Sequence, residues 1–140
     1  MKKWVLMLLL CFVCVLPGMA AETPKKHAID VQVDKLLAQD ESTNGMIQAF
    51  AKGQELWDKE LNKVYQELTK ALAKDEAEKK ILVEAQRAWV SFRDQEMKLL
   101  QAIYGKKEGT MYRPMAANDV MQLTRTRALA LKDWLILLTE

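Results

Sequence analysis

Residues 43–73, TNGMIQAFAKGQELWDKELNKVYQELTKALA, decide the fold. Met46, Phe50, Gly53, Trp57, Leu61, Val64, Leu68 and Leu72 recur every three or four positions, which places them on one face of an α-helix. Ser42 or Thr43 can open that helix by accepting a bond from a free backbone N–H. On the outer face Glu55 and Lys59 stand in the favourable i, i+4 order, and Lys63 and Glu67 in the reverse one. At 1.5 Å per residue the helix runs about 45 Å. A stripe of that length has to be covered by other long elements.

Those elements follow in the chain. Lys74-Asp75-Glu76 is a short break, and Asp75 with Glu78 resembles a capping box. Ile81 or Leu82, Ala85, Ala88 or Trp89, Phe92, Leu99 and Ile103 then continue a helical pattern as far as Gly105. The break is so short that the two helices are expected to be antiparallel neighbours. Gly105-Lys106-Lys107-Glu108-Gly109-Thr110 reads as a basic, glycine-bounded loop. Arg113-Pro114 suits entry to a third long helix, with proline at its first position. Val120, Leu123, Arg127, Leu131, Trp134 and Leu138 make that helix's stripe. Upstream, Ile29, Val33, Leu36 and Leu37 mark a short helix, closed by the turn formers from Asp40 to Gly45. The expected fold is all-α: an antiparallel bundle of three long helices with a short N-terminal helix, forming one domain over 29–140.

Composition agrees. The chain has 140 residues, half of them apolar, with 5 Gly and 3 Pro. That is too few turn residues for a sandwich or barrel. Residues 1–20 read as a signal peptide, with Lys2 and Lys3, an apolar run from Trp4 to Leu16, Pro17, and small residues before a cut after Ala20. The apolar run is short for a membrane span, so no stable span is expected after cleavage. An uncleaved anchor is the alternative. A lipoprotein reading fails because Leu10 and Val13 precede the cysteines. Residues 21–28 read as a flexible lead-in, with His27 a solvated side chain. Lys2 and Lys3 leave with the signal, so the basic residues fall from 21 to 19 and equal the 19 acidic ones. A neutral chain lacks the field that steers proteins onto nucleic acid. Cys11 and Cys14 leave as well, and with a single His there is no zinc set; no metal or other cofactor is expected.

Three segments place polar residues beside or on the apolar stripes. Asp58, Asn62 and Tyr65 share one strip of the first long helix. Arg87, Ser91 and Asp94, with Arg93 adjacent, do so on the second, and Arg127 falls on the stripe of the third. A guanidinium inside a bundle needs acceptors. Asp58 and Asp94 are the expected carboxylate partners of Arg87 and Arg127, in a bidentate network that sets helix register. A catalytic acid–base pair is the competing reading. It lacks support, because arginine keeps its proton and no histidine or nucleophile pair stands nearby.

The same segments resemble the LprI-like lysozyme-inhibitor family of exported bacterial proteins. The resemblance lies in Trp57-Asp58, Leu61-Asn62 and Tyr65, then Gln86-Arg87, Trp89 and Phe92-Arg93-Asp94, then Leu123-Thr124 and Arg127, with Thr43 and Met46 upstream. It covers Thr43 to about Leu131. It implies a small periplasmic helical domain and, for at least one branch of the family, inhibition of lysozyme and hence a protein partner; no enzyme activity is expected, because a thin bundle of three long helices offers little room for a cleft. The family's cysteine pairs are absent; by register their places fall near Leu36, at Ala49, at Met97 and between Asp119 and Met121. Most of these substitutes are apolar, so the sites are expected to remain buried contacts. The candidate partner surface is the Gly105–Tyr112 loop, where Lys106, Lys107 and Tyr112 could enter a cleft bearing two carboxylates. Its ordinary reading is a solvated connection. The alternative function is a non-enzymatic envelope binding or chaperone-like module, with Met46, Met97, Met111, Met115 and Met121 as adaptable contacts.

Overall fold

The computed structural model describes residues 26–140, which form four helices: α1 (Ala28–Gln39), α2 (Thr43–Ala71), α3 (Glu76–Tyr104) and α4 (Tyr112–Thr139). The expected signal peptide, its expected cut after Ala20 and most of the expected lead-in lie outside the described residues. His27 does not stay solvated. It caps α1, its Nδ1 accepting from the Ile29 N–H at 3.2 Å, and its ring lies 4.5 Å from that of Trp57. Ser42 caps α2 by accepting from Gly45, and Asp75 caps α3 by accepting from Glu78. Glu55 is paired with both Lys52 and Lys59, which hold its carboxyl down at about 2. Lys63 lies 4.0 Å from Glu60 rather than pairing with Glu67.

The three long helices run up, down and up, as an antiparallel bundle should. From Gly53 to Leu68 the buried stripe of α2 is the expected one, with Gly53, Trp57, Leu61, Val64 and Leu68 facing inward; in the first turns Gly45 and Ala49 are buried instead of Met46 and Phe50, which, like Leu72, are half-buried. What they face differs from expectation. The main interface of α2 is with α4, with α1 second, and α3 rests chiefly on α4. The short break at 72–75 reverses the chain without bringing α2 and α3 into close contact. Only Leu82 of α3 is fully buried. Of the paired alternatives on α3, Leu82 and Trp89 face the core, while Phe92, Leu99 and Ile103 are exposed.

The stripe of α4 is turned by about a quarter turn from the expected one. Pro114, Met121, Thr124, Ala128 and Leu131 are buried, whereas Trp134 and Leu138 are exposed. The reason is that α4 is apolar on more than one side, so periodicity alone admits two solutions. The chosen side carries the small residues Thr124 and Ala128, which let α2 approach closely. Pro114 sits at the third helical position rather than the first, still within the turn where a missing N–H costs nothing. Of the places where the resembled family has cysteines, Ala49 and Met121 are buried, Leu36 is half-buried and Met97 is exposed.

Three helices come close together at Gly53. A Cβ there would fall inside van der Waals contact of the Met121 and Val33 side chains, so glycine lets α1, α2 and α4 meet. Gly53→Ala is expected to lower stability by about 1–2 kcal/mol, because overpacking outweighs the helix propensity gained. Urea denaturation followed by circular dichroism checks this.

Trp57 is fully buried where those helices meet. Above it Arg125 of α4 reaches Asp30 of α1 through Nε at 3.0 and 3.1 Å and Nη2 at 2.8 Å. The guanidinium lies 5.6 Å from the Trp57 ring centre. Burial pushes the Asp30 carboxyl up, but the hydrogen bonds and charge of Arg125, helped by His27 and Trp57, outweigh it and hold it below its ordinary value. A carboxyl with a lowered folded-state pKa contributes stability above its unfolded-state pKa. That contribution is lost as pH falls through the folded value. Asp30→Asn is therefore expected to cost about 2 kcal/mol at neutral pH and much less in acid, as read from urea midpoints across that range.

Candidate functional site

The loop Gly105–Met111 joins α3 to α4 at one end of the bundle. Gly105 receives the last turn of α3, its N–H donating to Gln101 at 2.9 Å. Gly109 has φ +106°, a left-handed conformation that only glycine adopts freely. The feet of the loop are braced. The Tyr104 hydroxyl donates to Asp119 at 2.6 Å, and the Tyr104 and Tyr112 rings lie 6.5 Å apart. That carboxylate, as acceptor, raises the Tyr104 phenol above its usual pKa and keeps it a donor. Lys106 and Lys107 are exposed and make no ion pair among the described residues. Two uncommitted ammonium groups thus project from a turn whose base is fixed, with half-buried Tyr112 beside them.

The expected polar network is only partly assembled. Asp58 accepts from Asn62 at 3.1 Å, and Asn62 also donates to the Asp58 carbonyl at 2.9 Å. Tyr65 packs against the core from the same helix. Asp94 accepts from its neighbour Arg93 through Nε at 3.0 Å and Nη2 at 2.8 Å. Neither carboxylate pairs with Arg87 or Arg127. Arg87 is exposed and has no ion pair among the described residues. The bidentate network among Asp58, Asp94, Arg87 and Arg127 is therefore corrected: each acid is taken by a residue of its own helix.

Arg127 is half-buried and held differently. Its Nε donates to Gln86 at 3.1 Å, and its guanidinium lies 5.9 Å from the Trp89 ring and 5.3 Å from that of Trp134. One of its nitrogens, Nη2, is buried without a partner, and burial pushes its pKa down. Aromatic faces and one amide do what a carboxylate was expected to do. The bundle's bidentate pair is instead Arg125–Asp30. Its sequence signal was an acid among the apolar positions of α1, three residues before Val33 and seven before Leu37. Thr124 is a second missed contributor: fully buried, it accepts from Gln54 at 2.8 Å.

A groove of about 760 Å³ lies between α2, α3 and α4, walled by Ala51, Met97, Leu100, Ala116 and Val120, with Gln54, Asp94 and Lys98 among its polar groups. Three of the five methionines named as adaptable contacts, Met97, Met111 and Met115, are exposed; Met121 is buried. Among the described residues no group of three or more His, Cys, Asp or Glu could hold a metal, and no helix is long and apolar enough to cross a membrane.

Residues 36–131 match the family described as lysozyme inhibitor LprI. The chain belongs to the LprI family. Its fold is also that of an uncharacterized protein from Burkholderia thailandensis, known from a crystal structure. The two share 31% sequence identity and a TM-score of 0.77 over 83% of this chain. This chain spans 57% of the length of that protein. No curated protein matches it. The family match takes in α2, α3 and most of α4, so the residues around Trp57, Trp89 and Arg127 all lie within the shared domain.

Arg127→Met keeps the packing stem and removes the charge, and is expected to leave stability within about 1 kcal/mol of the parent or to raise it. Gln86→Leu strips the acceptor from a half-buried cation and is expected to cost about 1–3 kcal/mol. Thermal unfolding of the two variants side by side checks the order.

Proposed function

We propose that this protein is an exported, periplasmic inhibitor of lysozyme-type muramidases, and that it acts by binding the enzyme rather than by catalysis. The observation that carries this reading is the family match over 36–131. Export is supported by the composition of residues 1–20, with cleavage after Ala20. The domain that remains is the helical bundle over 29–140.

The loop at Lys106, Lys107 and Tyr112 is the surface proposed to meet the enzyme. Muramidases of this type work with two carboxyl groups facing each other across a cleft. Two exposed ammonium groups on a braced turn suit that charge, and Tyr112 adds a flat, semi-rigid contact at low entropic cost. The brace matters because a loop already held in one shape loses less freedom on binding. The net neutrality of the mature chain means that the attraction is local and does not depend on long-range steering.

Turbidity clearing of a cell-wall suspension by lysozyme tests this. The purified protein is expected to slow clearing in a dose-dependent way. Replacing both Lys106 and Lys107 by alanine should weaken inhibition by at least about tenfold. Absence of inhibition at large molar excess would overturn the function. Full inhibition by the double variant would overturn the loop and leave the function standing.

A further inference from the structure

The fold leaves one face of α3 unpartnered. Leu82, Gln86, Trp89 and Tyr104 turn toward α4 or the core. About a quarter turn round the helix, Ile81, Ala85, Ala88, Phe92, Leu99 and Ile103 form a second stripe with the three–four recurrence of a coiled-coil seam, interrupted once, at Gln95. Its large members are exposed: Ile81 at 64%, Phe92 at 53%, Leu99 at 51% and Ile103 at 47%. The seam is about 33 Å long at 1.5 Å per residue. At the Ile81 end it runs into an apolar hollow shared with Trp134, Leu137 and Leu138 of α4, which are also exposed. An exposed apolar strip of this length, broken by a single polar position, signals an interaction surface.

We propose that a second copy of this chain covers that face, with the two α3 helices packed antiparallel about a two-fold axis near the middle of the seam. Size and charge both favour this occupant. In that register Phe92 of each copy lies opposite Ala88 of the other, Ile81 opposite Leu99, and Ile103 opposite Ala77. At the centre Phe92 falls on Ala88, and at the ends Ile103 falls on Ala77, large on small, which lets the backbones approach. On the flank, Glu84 of each copy meets Lys98 of the other, twice by symmetry. Both charges are available. Glu84 has only Lys80, at 4.0 Å, and Lys98 makes no ion pair among the described residues. A parallel in-register pair would set Phe92 on Phe92 and Ala88 on Ala88, and would match no acid with a base across the seam. Leu99 and Ile103 of the second copy would also reach the hollow around Trp134, closing the apolar strip at both ends. An interface of this kind is isologous and closes as a dimer.

Sedimentation equilibrium of residues 21–140, which carry every described helix, tests the proposal. The expected result is a reversible dimer. Phe92→Glu is expected to weaken it by at least about tenfold while leaving the circular dichroism spectrum unchanged, because Phe92 is not part of the bundle core. Orientation is read by cross-linking, since this stretch has no cysteine of its own. Glu84→Cys protein mixed with Lys98→Cys protein should oxidise to a mixed disulfide, and neither should form a dimer disulfide alone. A monomer at the highest soluble concentration, a dimer untouched by Phe92→Glu, or a disulfide of Glu84→Cys with itself would overturn it. No lysozyme enters the measurement, so its result and that of the clearing assay stand apart.

Discussion

The contact on which the rest of the bundle depends is the burial of Trp57 beneath the Asp30–Arg125 pair. The indole is the largest fully buried side chain and lies where α1, α2 and α4 converge. A flat apolar group of that size gives burial energy but little direction. Direction comes from the ion pair above it, because a guanidinium and a carboxylate meet well in only a few geometries. The short helix α1 would be marginal alone. Tied at Asp30, capped by a histidine packed against the same indole and seated against Gly53, it becomes the lid of the core.

Arginine serves two different purposes in this fold. Arg125 is satisfied by a carboxylate from the far end of the chain and joins elements distant in sequence. Arg127 has no carboxylate and lies among Trp89, Trp134 and Gln86 at the seam between α3 and α4. A cation spread over a planar group tolerates aromatic faces as neighbours because it is weakly hydrated. This explains how an arginine can stand on the inner side of a helix while the acids expected to pair with it, Asp58 and Asp94, are engaged elsewhere. In this chain Arg127 thus serves packing between two tryptophans more than an ionic network.

The division of labour along the bundle follows from these contacts. α2 and α4 form the rigid body, α1 closes one side, and α3 leans on α4 while keeping a long apolar face outward. The loop that α3 and α4 share emerges at the opposite end from the Trp134 hollow. The exposed lysines thus lie far from that hollow, while the apolar seam runs from the hollow along α3 to Ile103, next to the loop.

Helix positions and the caps of α2 and α3 were legible in the sequence because both are local, whereas the His27 cap of α1 depends on its seat against Trp57. Ser42 and Asp75 do what hydroxyl and carboxyl caps do, and the stripe of α2 is single-sided, so its inward face had one solution. Neighbour relations were not legible. α3 carries two stripes a quarter turn apart, and α4 is apolar on more than one side, so periodicity could not say which face meets which partner. The partners of the arginines were hidden for the same reason: Asp30 and Arg125 are 95 residues apart, and only the packing of α1 across α2 brings them together. The sequence by itself therefore determined the helices, their ends and the family. The tertiary structure decided which sides are inside, because that choice depends on how closely small residues such as Gly53, Thr124 and Ala128 let whole helices approach.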